Sequence, residues 1–219
     1  MQKKSLLFAL FIAIISWFGL VIQYSHLIIN ASSLGLTKPE ATARFFKYFT
    51  ILSNIMVAVS TTAFFLFPKS GISNFLRKPF IISAITVYIF MVGVGYNLLL
   101  RGTWNPQGWH KVSDEIVHVA DPLLFALYWY FFAPKNSLKW KYSLYWLLVP
   151  AVYFVYVIIR GTIDGFYPYP FLDPNKLGYT RMLLNAAGVG IAFIAAGLLF
   201  IKLGQWQKNK TDEVQTNLL

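Results

Sequence analysis

His118 is the side chain in this sequence best placed to move a proton. Asp114 precedes it by four residues, Glu115 by three, and Asp121 follows by three. Residues three and four apart share a helix face, so an acid stands beside the imidazole whichever way the helix turns. A neighbouring carboxylate fixes the tautomer of a histidine and raises its basicity, which a general base needs. The same groups would also make a polar network between helices. Thr50 offers a hydroxyl for such a base to activate, because threonine is a weak nucleophile without one. Left alone, a threonine in a membrane helix bonds its own i−4 carbonyl. Asn54, Asn97 and Asn185 carry amides able to donate to an oxyanion. Arg101, Arg160 and Arg181 carry forks that suit a carboxylate or phosphate, or that snorkel to an interface. The sequence contains no G-x-S-x-G, S-x-x-K or H-E-x-x-H motif. With no cysteine, thiol nucleophiles, Fe–S clusters and Cys-based zinc sites are excluded. A metal-dependent centre would need Asp114, His118 and Asp121 joined by His26 or His110.

The elements holding these residues must be membrane helices. Hydrophobic residues make up 57% of the 219 and charged residues 12%, against about 25% charged in a soluble domain; the mean hydropathy is +0.57. That composition excludes a water-soluble enzyme, and 18% aromatic content excludes disorder. A span takes about 20 apolar residues. Six stretches qualify: Ser5–Ile29, Phe45–Phe67, Phe80–Leu100, Glu115–Phe132, Ser143–Ile159 and Met182–Leu203. The sequence therefore predicts an all-α integral membrane protein, a bundle of six transmembrane helices forming a single polytopic domain over residues 1–219. The runs are continuous rather than alternating, which argues against a β-barrel. Lys3 and Lys4 precede a run longer than a signal peptide's, which predicts a retained first helix.

Six spans put both termini on one side. That side holds 11 basic residues, from Lys3 to Lys210, and the other holds eight. The positive-inside rule then predicts cytoplasmic termini. Much of the net charge of +11 is a topology signal, and nothing in the sequence calls for a nucleic acid or a cofactor. The polar residues gather at one depth, the non-cytoplasmic ends of the helices, which predicts a polar pocket open to the outer leaflet. Arg101-Gly102-Thr103 and Arg160-Gly161-Thr162 form a short echo between the ends of the third and fifth helices.

The stretch Phe45-Phe46-Lys47-Tyr48-Phe49-Thr50-Ile51-Leu52-Ser53-Asn54 resembles the threonine-bearing helix of the androgen-induced membrane protein family and its bacterial six-helix relatives. The segment around His118, followed by Pro122, is similar to that family's histidine helix, and Tyr169-Pro170-Phe171-Leu172-Asp173 to its Tyr-Pro-Phe-Leu-acid segment. Animal members are membrane hydrolases that cleave fatty acid esters of hydroxy fatty acids with one Thr and one His. The resemblance implies Thr50 as nucleophile and His118 as base, a lipid or fatty-acid-derived substrate, and a place in lipid metabolism. The acids around His118 and the Ser53-Asn54 pair look like the bacterial branch, which implies the cytoplasmic (plasma) membrane of a bacterium. On this expectation Asp114 or Asp121 orients His118, and Asn54 supports the site. Arg101, Arg160, Arg181, Asn97 and Asn185 bind substrate. A non-enzymatic lipid-binding protein, a proton-coupled carrier and a metal-dependent membrane hydrolase are the alternatives.

Overall fold

The computed structural model describes residues 3–135 and 137–216, with side chains as far as residue 209. Met1, Gln2 and residues 217–219, the ends placed by the count of basic residues, lie outside the described residues, as do the side chains of Lys210, Asp212 and Glu213. All regular structure among the described residues is helical: α1 (Lys3–Ile29), α2 (Lys38–Phe45), α3 (Phe49–Leu66), α4 (Gly71–Leu76), α5 (Pro79–Gly95), α6 (Gly108–Glu115), α7 (Asp121–Phe132), α8 (Tyr142–Trp146), α9 (Leu148–Asp164) and α10 (Pro174–Thr216). Two wide turns interrupt this order, at Tyr96–Leu100 after α5 and at Ile116–Ala120 between α6 and α7. Each is a π turn, in which an N–H reaches back five residues instead of four.

Among the described residues, five helices are long and apolar enough to cross a bilayer: Lys3–Ile29, Phe49–Leu66, Pro79–Leu100, Tyr142–Asp164 and Pro174–Asn209. They mark an all-α integral membrane protein. The remaining expected span lies within the continuous helical path that runs from Gly108 to Phe132, where Glu115, His118, Asp121 and Pro122 dilute the apolar run.

The bounds differ from expectation for local reasons. The second span starts at Phe49, because Phe45 ends a separate helix. A capping box starts that helix: the Thr37 hydroxyl accepts from the Glu40 N–H at 3.4 Å, and Glu40 Oε2 accepts from the Thr37 N–H at 2.7 Å, satisfying two end donors. Lys47 therefore sits in the turn between α2 and α3. The fifth span is interrupted at Leu147, since Pro150 has no N–H to return to the preceding turn. The sixth begins at Pro174, capped by Asp173, whose Oδ1 accepts from the Asn175 N–H at 3.0 Å. It bends at Gly178, where φ is 72°, a left-handed value that favours glycine.

The chain forms two compact units, within residues 1–135 and 136–219. In the first, α1 packs along α3, and α5 along α7. Leu20, Phe45, Ile51 and Ala58 make a core cluster between α1, α2 and α3. Trp129 Nε1, fully buried, donates to Ser83 Oγ at 2.7 Å and ties α7 to α5. Lys135 donates to the carbonyls of Tyr130 and Ala133, both at 2.9 Å, closing the end of α7 as cations do at helix C-termini. In the second unit, α8 and the 3₁₀ turn Pro170–Leu172 pack on α10. Asn185 Nδ2 donates to the Phe171 carbonyl at 3.0 Å, fastening the Tyr-Pro-Phe-Leu-Asp segment to α10.

Candidate functional site

His118 lies in the wide turn Ile116–Ala120, and its residue is 9% exposed. That turn leaves backbone groups without their usual helical partners. Asp121 N bonds the Ile116 carbonyl rather than that of Val117, and Pro122 has no N–H to give to the carbonyl of His118. Two buried carbonyls are thus released by the helix that owns them, and such groups demand partners. Side-chain amides on neighbouring helices supply them. Asn54 Nδ2 donates to the Val117 carbonyl at 3.1 Å and to the Thr50 carbonyl at 2.8 Å. Asn97 Nδ2 donates to the Gly93 carbonyl at 2.8 Å and to the His118 carbonyl at 3.4 Å.

Small residues let the neighbours come close enough. A Cβ on Gly19 of α1 would stand 2.6 Å from Ile116 Cγ2, and one on Gly93 of α5 would stand 2.9 Å from Pro122 Cβ and 3.3 Å from the His118 carbonyl oxygen. Glycine at these positions permits close helix approach, as in other membrane bundles. The histidine turn is held by α1, α3 and α5 together.

The imidazole is tightly oriented. Its Nδ1 lies 3.0 Å from the Asp114 backbone oxygen and 3.0 Å from Asp114 Oδ1. The N–H direction favours the backbone oxygen, and Oδ1 lies beside it without a well-aligned hydrogen bond. Both atoms only accept, so Nδ1 carries the proton, and a neutral His118 keeps its lone pair on Nε2. Asp114 Oδ2 accepts from the Tyr96 hydroxyl. The Tyr96 ring stacks on His118 with centroids 3.8 Å apart and planes 12° apart. Tyr96 opens the other wide turn, in which Arg101 N reaches the Tyr96 carbonyl at 2.8 Å. Tyr96, Asp114 and His118 make one buried cluster.

Of the two acids expected to orient His118, Asp114 is the one in contact. Asp121 is fully buried, and neither of its oxygens has a hydrogen-bond partner; Ser16 of α1 faces it without a well-aligned bond. Thr50 is 7% exposed on α3. Its backbone shares the Asn54 amide with Val117, next to His118. Both N–H groups of Asn54 and both of Asn97 are engaged with carbonyls, so these amides buttress the turn. Arg101 forms a two-point pair with Glu115, 2.8 Å at each nitrogen, and its Nε donates to Asn97 Oδ1 at 2.8 Å. Bonding to Glu115 raises the Arg101 pKa above its ordinary value. Arg160 pairs with Asp164 at 3.5 Å, Arg181 is exposed, and Asn185 holds Phe171; all three belong to the second unit.

The echoed tripeptides agree in one atom. Thr103 and Thr162 each donate to the carbonyl three residues back, at 2.7 and 2.8 Å. Their glycines differ, since Gly102 faces open space while the Tyr167 ring lies on Gly161. His26 and His110 stack on each other, 3.8 Å between centroids. Burial, and then the charge of His26, lower the His110 pKa. Among the described residues no three His, Asp or Glu side chains gather to hold a metal ion. A groove of about 500 Å³ runs along Ile116, Val119 and Ala120, with Lys111 and Glu115 as its polar members. It is mostly apolar.

Tyr96, Gly19 and Gly93 are the residues that sequence reasoning left without a role. One signal was present: Pro122 four residues after His118 implies a released carbonyl, and hence a donor nearby. No family model, curated protein or solved structure matches the chain.

Proposed function

We propose that this chain is a six-span membrane hydrolase of lipid esters, related to the androgen-induced membrane protein family, with His118 as base and Thr50 as nucleophile. The observation that carries the proposal is the Asp114–His118 contact, 3.0 Å from Nδ1. It leaves Nε2 as the acceptor, beside a residue whose carbonyl shares one amide with that of Thr50. Thr50 Oγ attacks the ester carbonyl carbon while Nε2 takes its proton, and Asp114 stabilises the imidazolium so formed. The tetrahedral oxyanion collapses, the C–O bond to the alcohol breaks, and the departing oxygen takes the proton from Nε2. Water then attacks the acyl-threonine with the same base, releasing the acid and restoring Thr50.

The apolar groove beside Glu115 suits an acyl chain, and Arg101 suits a substrate carboxylate that displaces Glu115. The substrate is a lipid ester of the fatty-acid-ester type, and the membrane is the cytoplasmic membrane of a bacterium. Residues 115–132 supply the fourth span, and both termini are cytoplasmic. Alkaline phosphatase fused after Leu219 should therefore be inactive; an active fusion reverses the topology.

The test of the chemistry is turnover of a fluorogenic fatty ester by purified protein. Thr50→Ala and His118→Ala should each lower it by about 100-fold or more while melting like the parent. Hydrolysis that survives both substitutions sinks the proposal. Asp121 favours a second function, a proton-coupled carrier, because an unpaired acid inside a membrane helix is a default pathway element. Substrate uptake into proteoliposomes that tracks a proton gradient and is lost in Asp121→Asn would select it.

A further inference from the structure

We infer that Tyr96 is the positioning residue for His118, fixing through one side chain both the plane of the imidazole and the nitrogen that carries its proton. The inference rests on His118 acting as the base. Two contacts carry it. The Tyr96 ring lies 3.8 Å from the His118 ring and nearly parallel to it, so the imidazole cannot swing out of its plane without losing an aromatic partner. The Tyr96 hydroxyl donates to Asp114 Oδ2, which holds the carboxylate so that Oδ1 stays 3.0 Å from His118 Nδ1. A ring flip would put Cδ2 where Nδ1 stands and Cε1 where Nε2 stands, breaking the Asp114 contact and taking the lone pair away from the substrate side. Holding the ring and the acid with the same side chain opposes that flip twice.

The backbone explains why a tyrosine from the end of α5 reaches both partners. Tyr96 is 4% exposed and opens the wide turn at the end of its helix. The extra residue in each wide turn rotates the next helical segment relative to a regular helix. Gly93, one turn earlier, lets α5 close on Pro122. Arg101 adds a third layer, its guanidinium carbon 5.3 Å from the Tyr96 ring centroid, and so anchors the tyrosine from the interface side.

The experiment compares Tyr96→Phe, which keeps the ring and removes the donor, with Tyr96→Leu, which removes both. The first readout is hydrolysis of the fluorogenic ester. We expect kcat to fall by roughly 10-fold in Tyr96→Phe and by roughly 100-fold in Tyr96→Leu, toward the full contribution of a general base, with KM within about twofold of the parent. The second readout is ¹⁵N NMR of histidine-labelled protein in micelles, assigned with His118→Gln. The parent should show the Nδ1–H tautomer, with the Nε2–H form growing from Tyr96→Phe to Tyr96→Leu. Parent-like kcat and tautomer in both variants overturn the inference even where His118→Ala abolishes turnover. Loss of kcat without tautomer change also overturns it. If His118→Ala leaves hydrolysis intact, the base assignment fails, and the tautomer readout alone then decides whether Tyr96 holds the ring. Should Tyr96→Leu fail to fold, the nearly isosteric Tyr96→Phe carries the test on both readouts.

Discussion

Replacing Asn54 with leucine isolates the force that holds the histidine turn. Asn54 is fully buried and donates to the carbonyls of Thr50 and Val117 at 2.8 and 3.1 Å. Val117 is the vulnerable partner, because Asp121 N serves Ile116 instead. An unpaired buried carbonyl costs about 1–3 kcal/mol. Against this, Asn54 Oδ1 has no partner of its own, and leucine removes that orphan too. Hydrogen bonds inside membranes are modest, averaging about 0.6 kcal/mol with a maximum near 1.7. The net loss should be about 1 kcal/mol, which for a chain of this size lowers Tm by about 2–4 °C. Asn54→Asp should be worse, since it turns an oxygen toward two carbonyl oxygens and leaves the Val117 carbonyl facing a second acceptor in place of its donor. The assay is thermal unfolding in detergent monitored by tryptophan fluorescence, with ester turnover measured on the same samples. Turnover should fall further than stability, by about 10-fold or more, because misplacing a catalytic pair by 1 Å costs up to about 100-fold. A stability order with Asp above Leu, or a leucine variant with full Tm and full turnover, refutes the bridging role of Asn54.

Two further outcomes rest on the same geometry. Gly93→Ala places a Cβ 2.9 Å from the stiff ring of Pro122 and should cost about 1–3 kcal/mol, whereas Gly95→Ala, which faces open space, should stay within about 0.5 kcal/mol; parallel melting curves check both. Burial and His26 lower the His110 pKa, so the unfolded chain binds this proton more readily than the folded one. Stability contributed by neutral His110 is therefore present above the unfolded value of about 6.5 and is lost as pH falls below it; the decline in Tm between about pH 7.5 and 5.5 should be smaller in His110→Phe.

Much of the architecture was legible in the sequence because it stems from bulk properties. Continuous apolar runs make membrane helices regardless of their neighbours, since a backbone in lipid must satisfy its own hydrogen bonds. The pairing of Asp114 with His118 was legible as well, being a consequence of helical spacing along one segment. The end of α2 at Phe45 and the start of α3 at Phe49 were not, because the continuous aromatic run hides the turn between them. Nor did the sequence distinguish Asp114 from Asp121: both lie on one stripe, and the choice depends on Tyr96 reaching Asp114 while Asp121 turns toward Ser16. The two wide turns, the bridges made by Asn54 and Asn97, and the stack of Tyr96 on His118 were decided by tertiary structure alone. Asn54, Asn97 and Tyr96 each reach a partner on a different helical segment, far from them along the chain. Composition and periodicity report how one helix uses its own residues, whereas the identity of the released carbonyls, and of the neighbours that answer them, is settled only when Gly19 and Gly93 let those helices meet.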